Sequence, residues 1–457
     1  MSGDLTGRID KIFKAYDVRG VYPDEIDEDV AMRVGNAFVG FSGAPKVLVA
    51  RDARPSSVPL VASFIEGATL AGADVVDLGL ASTDLAYFAA GHLEAPAAMF
   101  TASHNPAQYN GIKLCRAGAA PVGAETGLTQ IKAAVAAGLL ERADDPGRAA
   151  QIDLLPEFVE HVRSFVRVDA LRGLKVVADT ANGIGGLVVP AVLEDLVDLT
   201  MLYGELDGTF PNHPADPIQP ENLKDLQRLV IDVRADVGLA FDGDADRVFL
   251  VDDKAQPVSG SLTTAIVADS ILRRVPDEAP VADKTVVHNL ICSKAVPEVV
   301  RELGGTPVRT RVGHSFIKQV MAESGAIFGG EHSGHYYFRD NFRADSGLIA
   351  ALVVLEALAT SKQPLSDLRT PFERYVASGE INRTVDDPLA VIESVASRFG
   401  AEQQDRLDGL TVDLGEWWFN LRPSNTEPLL RLNLEAPDAA SCEAHVAEVL
   451  DLVGGRA

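Results

Sequence analysis

The segment VGLAFDGDADR, residues 237–247, joins a short apolar run to a loop in which every second residue is an aspartate. Two other segments have the same layout, AAMFTASHNP (97–106) and GAIFGGEHSGH (325–335). Short apolar runs bounded by polar loops are typical of buried strands. Ligands of open α/β sheets collect at the carboxyl ends of strands, so these three loops are predicted to converge on one cleft.

A repeated unit surrounds these loops. The β-branched runs KVLVARD (46–52), KVVADTANG (175–183) and KTVVHNLICS (284–293) each open one unit. In the first of these sequence repeats a helical pattern follows at 57–73, and a second strand is predicted at 74–79. Strands and helices that alternate at this spacing predict right-handed βαβ crossovers and mostly parallel sheets. We therefore expect three related mixed-sheet α/β domains.

The pattern changes after an Ala- and Leu-rich helix predicted at 347–360. Residues 410–436 contain two alternating strand-like runs around RPSNTEP (422–428), and an amphipathic helix is predicted from about 439 to 452. This indicates a small C-terminal α+β domain. We place the four domains at 1–150, 151–255, 256–366 and 367–457, guided by polar and Pro/Gly-containing segments.

Composition restricts the class of function. The chain has 457 residues, a formal net charge of −25 and 47% hydrophobic residues. The acidity argues against nucleic acid or an anionic membrane as a partner, so an anionic substrate needs a local basic pocket. No apolar run reaches the roughly 18 residues of a membrane span, and a secretory pattern is missing, so we expect a cytoplasmic protein. Three widely spaced cysteines are expected to be reduced structural thiols.

The loop DGDADR contains Asp242, Asp244 and Asp246. An EF-hand loop needs Gly at its sixth position and Glu at its twelfth, where this chain has Arg247 and Asp253, so that class is excluded. Three carboxylates at alternate positions can converge on one hard cation, and oxygen ligands favour Mg²⁺ over zinc. The alternative is a solvated acidic turn. Arg247 favours the metal, because a cation beside such a triplet suits a bound phosphoryl group.

Ser103 lies in TASHNP at the end of a predicted strand, between Ala102 and His104. The small Ala102 leaves its hydroxyl accessible, which makes Ser103 a candidate nucleophile. A serine in such a loop is more often a turn or cap residue. The choice depends on the motifs that accompany it.

Those motifs form an ordered set. KAYDVRG (14–20), TASHNP (101–106), YNGIKL (109–114), DGDADR (242–247), GEHSGH (330–335) and RPSNTEP (422–428) follow one another along the chain. In this order they resemble the α-D-phosphohexomutase superfamily, and most closely the bacterial phosphomannomutase/phosphoglucomutase group. The resemblance implies a heart-shaped, four-domain enzyme with a central cleft. It also implies interconversion of hexose 6-phosphate and hexose 1-phosphate, with mannose as the expected sugar and glucose as a possible second one.

The resemblance also implies a chemical cycle. Ser103 would carry a phosphate, and Mg²⁺ would be held by Asp242, Asp244, Asp246 and an oxygen of that phosphoserine. Ser103 would give its phosphoryl group to a sugar monophosphate, and the hexose 1,6-bisphosphate intermediate would turn around and return the other phosphate. The same bisphosphate is the expected activator.

Further residues receive roles through the resemblance alone. The implied catalytic residues, besides the serine, are Arg19, His104, Lys113 and Arg247. Lys113 matches the lysine proposed to move the hydroxyl proton. The implied substrate-binding residues are His314, Glu331, Ser333, His335, Arg422, Ser424, Asn425 and Thr426. Glu331 and Ser333 would contact sugar hydroxyls, and the residues of RPSNTEP would bind the phosphate that is not transferred.

Other functions stay open at this point. A phosphoglucosamine mutase shares the scaffold, and a sugar-phosphate phosphatase would use the same phosphoserine. A catalytically silent sensor of sugar phosphates is disfavoured, because Ser103 and all three aspartates are present. We expect small sugar phosphates as the only partners, without nucleic acid or membrane, and a monomer or dimer.

Overall fold

The structure is a computed structural model that describes residues 2–138, 140–423 and 429–454, with the backbone alone at 2–5 and at 314. The chain divides into two compact units. The first unit contains residues 1–259 and 333–368, and the second contains 260–332 and 369–457.

The first stretch of the first unit is an α/β domain with a six-stranded sheet. Its elements are α1 (Ser2–Ile12), β1 (Val18–Val21), α2 (Glu28–Ser42), β2 (Lys46–Arg51), α3 (Ser57–Leu70), β3 (Asp74–Leu80), α4 (Thr83–His92), β4 (Ala97–Phe100), β5 (Tyr109–Cys115), α5 (Leu128–Ala137) and β6 (Ala149–Gln151). The strand order is β1-β5-β4-β2-β3-β6. β2 pairs in parallel with β3 and β4, whereas β5 is antiparallel to both β4 and β1.

This domain confirms the predicted strand–helix–strand order. The strand predicted from KVLVARD is β2, the predicted helix is α3, and the next predicted strand is β3. The core forms because the helices and inner strands bury apolar side chains, with Phe64 and Phe100 packed edge to face at 5.4 Å between ring centroids, whereas β6 is exposed. The sheet is mixed, as expected: β5 returns as a hairpin from β4 and is antiparallel both to β4 and to the edge strand β1.

The second stretch of the same unit repeats this plan with a five-stranded sheet. Its elements are α6 (Leu155–Arg163), β7 (Lys175–Asp179), α7 (Gly185–Leu193), β8 (Asp198–Leu202), α8 (Lys224–Val233), β9 (Val237–Phe241), β10 (Val248–Asp252) and β11 (Pro257–Val258). The order is β11-β10-β9-β7-β8, with β7 parallel to β8 and β9. β9 and β10 form an antiparallel hairpin, and the aspartate loop is its turn.

The second unit begins with another βα pattern. Its elements here are α9 (Gly260–Leu272), β12 (Thr285–Asn289), α10 (Ala295–Glu302), β13 (Thr306–Thr310), α11 (His314–Ser324) and β14 (Phe328–Gly330). β12 pairs in parallel with both β13 and β14. β12 is buried along its whole length, as expected for the central strand of a covered parallel sheet.

The chain then contributes β15 (Tyr336–Phe338), α12 (Gly347–Ser361) and α13 (Leu365–Leu368) to the first unit. α12 begins at Ser346, whose side chain accepts a hydrogen bond from the Ile349 backbone N–H. Most of α12 is buried, which explains its apolar composition. Over the described residues, no single helix is long and apolar enough to cross a membrane. The segments Gly347–Ser361 and Leu365–Phe372, which meet at a bend of 95°, reach the length and apolar composition of a membrane span only when they are taken together.

The last stretch belongs to the second unit and is an α+β domain. Its elements are β16 (Val376–Thr384), α14 (Pro388–Ala396), β17 (Gln404–Asp405), β18 (Leu410–Asp413), β19 (Trp418–Pro423), β20 (Leu429–Ala436) and α15 (Ala439–Val453). The sheet is antiparallel with the order β16-β20-β19-β18-β17. The predicted fold class, three mixed-sheet α/β domains and a C-terminal α+β domain, is confirmed. The predicted domain boundaries and the heart-shaped arrangement stay predictions.

Candidate active site

Ser103 follows β4 directly, in a tight and buried turn. Its backbone is left-handed, with φ +50°, and the residue is 1% exposed. The backbone N–H donates to Thr101 Oγ1 at 2.9 Å, and the side-chain Oγ donates to Asp242 Oδ2 at 2.7 Å. The turn therefore points the Ser103 hydroxyl at the aspartate loop of the neighbouring domain.

Asp242, Asp244 and Asp246 follow β9 and are all buried. Each offers a carboxylate oxygen, and the three oxygens lie within 4.8 Å of one another. Asp244 Oδ1 and Asp246 Oδ1 are buried and have no hydrogen-bond partner within the described part of the chain. Unpartnered carboxylate oxygens that converge in this way fit a hard divalent cation.

Gly243 allows the two loops to approach each other. A Cβ atom at this position would lie 2.5 Å from the Ser103 carbonyl oxygen, closer than atoms can pack. Glycine is needed here because the backbone passes so near the serine turn. The glycine between the first two aspartates of DGDADR therefore permits the close contact between the aspartate loop and the serine turn.

Two cations compensate the carboxylates. Lys113 Nζ on β5 donates to Asp244 Oδ2 at 2.6 Å and to Asp246 Oδ2 at 2.7 Å. Burial alone would lower the pKa of Lys113, but the two aspartates raise it well above its usual value. Arg247 Nε lies 3.5 Å from Asp242 Oδ2. At neutral pH the Lys113 side chain is therefore a protonated ammonium.

Burial raises the pKa of Asp242 well above its usual value, and the nearby Asp244 and Asp246 raise it further. Burial would also raise the pKa of Asp244, but Lys113 holds it below the usual value. The pKa values of Asp242 and Asp244 are therefore driven apart by their contacts. A bound dication would favour the ionised form of all of them.

Arg19 and His104 flank the serine turn. Arg19 Nη1 donates to Asn105 Oδ1 at 2.6 Å, and its other terminal nitrogen pairs with Asp17. His104 Nδ1 lies 3.3 Å from Ser103 Oγ. The positive charge of Arg247, together with burial and Arg19, lowers the pKa of His104 to about 2, so its imidazole is neutral.

His335 joins this cluster from the segment before β15. Its backbone forms an isolated antiparallel bridge with Arg247. Its Nδ1 lies 2.8 Å from Asp345 Oδ2 and 3.7 Å from Asp246 Oδ1. The structure thus brings Ser103, the aspartates, Lys113, Arg247, Arg19, His104 and His335 together within the first unit. Ser333 belongs to the same unit.

The remaining predicted residues belong to the second unit. Glu331 is 3% exposed, and the neighbouring His332 shares a hydrogen bond of 3.0 Å with Ser261 Oγ. Arg422 lies at the end of β19 and donates to Glu380 Oε2 at 2.9 Å. The side chain of His314, at the start of α11, and the residues Ser424, Asn425 and Thr426 lie outside the described part of the chain.

Sequence reasoning missed three residues that support the site. Arg54 donates to the carbonyl oxygens of the serine turn, and Asp52 binds Arg54. Thr83, at the start of α4, donates from Oγ1 to Asp244 Oδ2 at 2.6 Å. The signal for the first pair was present: Asp52 and Arg54 follow the carboxyl end of a buried parallel strand, where ligand-site residues collect.

The arrangement has the parts that phosphoryl transfer requires. A serine hydroxyl lies beside a carboxylate triplet suited to a divalent cation, and fixed positive charges surround it. Phosphoryl transfer depends mainly on positioning and on neutralising negative charge. The fold and the site together define the class as an α/β phosphotransferase.

Comparison with known proteins identifies the family. Four family models match along the chain: phosphoglucomutase/phosphomannomutase α/β/α domains I, II and III at residues 10–141, 156–256 and 259–375, and the C-terminal domain at 380–452. A phosphomannomutase of Salmonella montevideo is 38% identical over 454 residues, covering 96% of this chain and 98% of that protein. A phosphomannomutase of Methanocaldococcus jannaschii is 36% identical over 457 residues, covering 99% and 98%.

Solved structures agree with this. A phosphoglucomutase/phosphomannomutase family protein from Burkholderia thailandensis superposes with a TM-score of 0.88 at 31% identity, covering 97% of this chain and 98% of that one. The fold alone is shared with parafusin, a phosphoglucomutase from Paramecium, with a TM-score of 0.81 at 17% identity, covering 96% of this chain and 94% of that one. The chain belongs to the phosphoglucomutase/phosphomannomutase family and is a phosphohexomutase, an isomerase of carbohydrate metabolism.

Proposed function

We propose that this enzyme interconverts mannose 6-phosphate and mannose 1-phosphate through phosphorylated Ser103 and a hexose 1,6-bisphosphate intermediate. The contact that carries the proposal is the hydrogen bond of 2.7 Å from Ser103 Oγ to Asp242. It brings the hydroxyl to a buried carboxylate triplet that has two cations beside it. The relatives named phosphomannomutase support mannose as the sugar, and glucose is the second candidate.

We propose Mg²⁺ as the metal, held by Asp242, Asp244 and Asp246 together with an oxygen on Ser103. The unpartnered oxygens of Asp244 and Asp246 support this assignment within the described residues. The metal would supply neutralisation of the charge that develops on the transferring phosphoryl group. Arg247, beside Asp242, and Arg19, beside Asn105, would add fixed positive charge.

In the first half-reaction the bond from Ser103 oxygen to phosphorus breaks, and a bond from phosphorus to the sugar hydroxyl oxygen forms. The sugar hydroxyl loses its proton, and the seryl oxygen gains one. Lys113 is the proposed relay for this proton, because its raised pKa makes it a protonated ammonium at the start of the step: it would donate a proton to the seryl oxygen and take up the one lost by the sugar hydroxyl. The neutral His104, 3.3 Å from Ser103 Oγ, is proposed to help position the same oxygen.

We propose sugar recognition by two groups of residues. Glu331, Ser333, His335 and His314 would contact the sugar, and Arg422 with Ser424, Asn425 and Thr426 would bind the phosphate that is not transferred. Arg422 is paired with Glu380 in this structure, so a bound phosphate would compete with that carboxylate. One phosphate site that serves both orientations of the bisphosphate is consistent with a reversible cycle.

Intact mass measurement tests the proposal. The full-length chain with Mg²⁺ is incubated with glucose 1,6-bisphosphate, and we expect a gain of about one phosphoryl group that maps to Ser103. Ser103→Ala should abolish both the gain and turnover of mannose 1-phosphate. Ser397→Ala is the matched control, since the exposed Ser397 side chain donates to the Ser394 carbonyl, three residues away. Full turnover by Ser103→Ala would refute the proposal.

Parallel assays with other substrates distinguish the alternatives. Glucosamine phosphate turned over faster than mannose phosphate would indicate a phosphoglucosamine mutase. Release of inorganic phosphate in place of isomerisation would indicate a phosphatase that uses the same serine. We also expect a monomer or dimer in the cytoplasm, which sedimentation and fractionation would check.

A further inference from the structure

The guanidinium of Arg54 lies beneath the serine turn and is fully buried. Its Nη2 donates to the carbonyl oxygens of Ser103 and Asn105, both at 2.7 Å. Its Nη1 donates to the carbonyl oxygens of Pro106 and Tyr109, at 2.8 and 3.0 Å. One planar cation thus binds four carbonyl groups of a single turn.

The fifth donor of Arg54 fixes the guanidinium itself. Nε donates to Asp52 Oδ2 at 3.1 Å, and the Arg54 backbone N–H donates to Asp52 Oδ1 at 3.0 Å. Ser57 Oγ donates to the same Asp52 oxygen at 2.9 Å. The ring of Phe210 covers the guanidinium with its centroid 4.9 Å from Cζ. All five N–H donors of Arg54 are therefore used in one fixed orientation.

The turn needs such support because its backbone is strained at Ser103, the proposed phosphoryl carrier. Ser103 is a non-glycine residue in left-handed backbone conformation, which persists only where its surroundings determine it. A small rotation at Ser103 would swing Oγ away from Asp242. The transfer step needs close in-line placement of the seryl oxygen, so the rate depends on this backbone.

We propose that Arg54 is a positioning residue for the phosphoryl transfer, acting through the carbonyl groups of residues 103–109 on the direction of Ser103 Oγ. The inference rests on the proposed function, because it assumes that Ser103 carries the phosphoryl group. Arg54 touches neither the hydroxyl nor the proposed metal ligands by any described hydrogen bond. Its contribution is the shape of the turn.

Lysine cannot replace Arg54 in this role. Its ammonium keeps the charge but has three donors at one point, whereas the four carbonyls and Asp52 are spread around a planar fork. Arg54→Lys therefore removes the planar set of hydrogen-bond donors and preserves the positive charge. Arg163→Lys is the matched control in the same unit: Arg163 donates to the Val192 and Ala191 carbonyls and pairs with Asp195, away from the serine turn.

The experiment uses the full chain with Mg²⁺, first phosphorylated with glucose 1,6-bisphosphate. The phosphoenzyme is mixed with mannose 1-phosphate, and loss of the phosphoryl group is followed by quenched intact mass in a single turnover. Misplacement of a reacting group by about 1 Å costs on the order of 100-fold in rate, and we expect a loss of that size for Arg54→Lys. We expect KM to change little, and Arg163→Lys to transfer as the parent does.

Thermal melting of each variant shows whether it is folded at the assay temperature. If Arg54→Lys is unfolded there, Asp52→Asn takes its place, because it keeps Arg54 and loosens its anchor. A fall in the transfer rate of Asp52→Asn, smaller than the fall expected for Arg54→Lys, would then support the inference. A folded Arg54→Lys variant that transfers the phosphoryl group as fast as the parent would overturn the inference. If that variant is unfolded, the parent rate in Asp52→Asn would overturn it instead.

The same experiment separates two kinds of failure. If the parent chain takes up no phosphoryl group at Ser103, the proposed function fails and the role of Arg54 fails with it. If the parent is phosphorylated and Arg54→Lys transfers at the parent rate, only the role of Arg54 is refuted. An unchanged maximal transfer rate with a raised KM would also refute it, since that pattern indicates weakened substrate binding.

Discussion

Thr83 Oγ1 donates a hydrogen bond of 2.6 Å to Asp244 Oδ2, and the Thr83 backbone N–H donates to the Asp244 carbonyl at 3.0 Å. Thr83 is the first residue of α4, in the first domain, whereas Asp244 lies in the second domain. The helix start thus fixes both the backbone and the side chain of one proposed metal ligand. Partners of this kind orient ligands and tune metal affinity.

Replacing Thr83 by Val tests this contact. The two side chains have nearly the same shape, so the change removes the hydroxyl and takes away one of the two described donors to Asp244 Oδ2, the other being Lys113 Nζ. Loss of such a partner typically weakens metal affinity by about 10- to 100-fold, and we expect a loss in that range for Mg²⁺ by calorimetric titration. Thr129→Val is the control, since Thr129 Oγ1 donates to the Ala124 carbonyl at an exposed position. Equal affinities in both variants would show that Thr83 does not orient the ligand.

Gly243→Ala should destabilise the protein. The added methyl group would lie 2.5 Å from the Ser103 carbonyl oxygen. This oxygen is a backbone atom, so no flexible side chain can move aside to relieve the clash. We expect the free energy of unfolding to fall by about 1–3 kcal/mol, the usual cost of overpacking, together with loss of activity. Gly7→Ala is the comparison, because a methyl group there meets nothing within 4 Å. Urea unfolding of the two variants measures the difference, and equal stability would contradict the close approach.

Lys113→Met should expose the dependence of the aspartates on a nearby cation. The side chain of Lys113 is 14% exposed and that of Asp244 is 0% exposed. Removing one partner of a buried pair costs about 3–5 kcal/mol, so in EDTA the variant should unfold at much lower urea concentration. Mg²⁺ should restore more stability to this variant than to the parent, because the ion supplies the missing positive charge.

The control for that experiment is Lys132→Met. Lys132 forms a surface pair with Asp10, whose side chain is 66% exposed, and such pairs contribute at most about 1 kcal/mol. If the two lysine variants lose the same stability in EDTA, the aspartates do not need Lys113 in the metal-free protein.

Asp84 should make stability fall as pH rises. It is fully buried and accepts hydrogen bonds from Ser82, from Ser346 and from the Leu85 backbone N–H. Burial raises the pKa of Asp84 to about 7, above its value in the unfolded chain. Between about pH 4 and pH 7 the folded state therefore binds the extra proton, and its contribution to stability is lost as pH rises through 7.

The measurement is urea unfolding of the parent and of Asp84→Asn at pH 5 and pH 8. Integrated over that range, the raised pKa corresponds to about 3 kcal/mol lost by the parent relative to the variant. A difference between the two proteins that stays constant with pH would show that Asp84 is ionised throughout.

The fold was predictable from sequence because its signals are local. The strands β2, β4 and β9 are short buried runs that end at polar loops, and α3 has the apolar periodicity of a helix packed on a sheet. The antiparallel return of β5 was not predicted. Its register depends on pairing with β4 and β1, which an apolar pattern alone does not reveal.

The candidate site was predictable only in part, for a similar reason. The serine and aspartate loops stand out as concentrated polar motifs at strand ends. Arg54 and Thr83 do not, because each acts on a partner far along the chain, 49 residues away at Ser103 and 161 residues away at Asp244. Their contacts follow from the packing of α4 and of the loop after β2 against the site. The position of Arg54 after a strand end marks it as a candidate in the sequence, but it does not identify its partner.

The left-handed backbone at Ser103 also restricts which amino acid can occupy this position. Threonine carries an equally capable hydroxyl, but β-branched residues are rare outliers at a φ of this sign. Its extra methyl group would force the turn to open or the hydroxyl to rotate away. The choice between the two alcohols at this position is therefore set by the main chain, before any difference in their reactivity is considered.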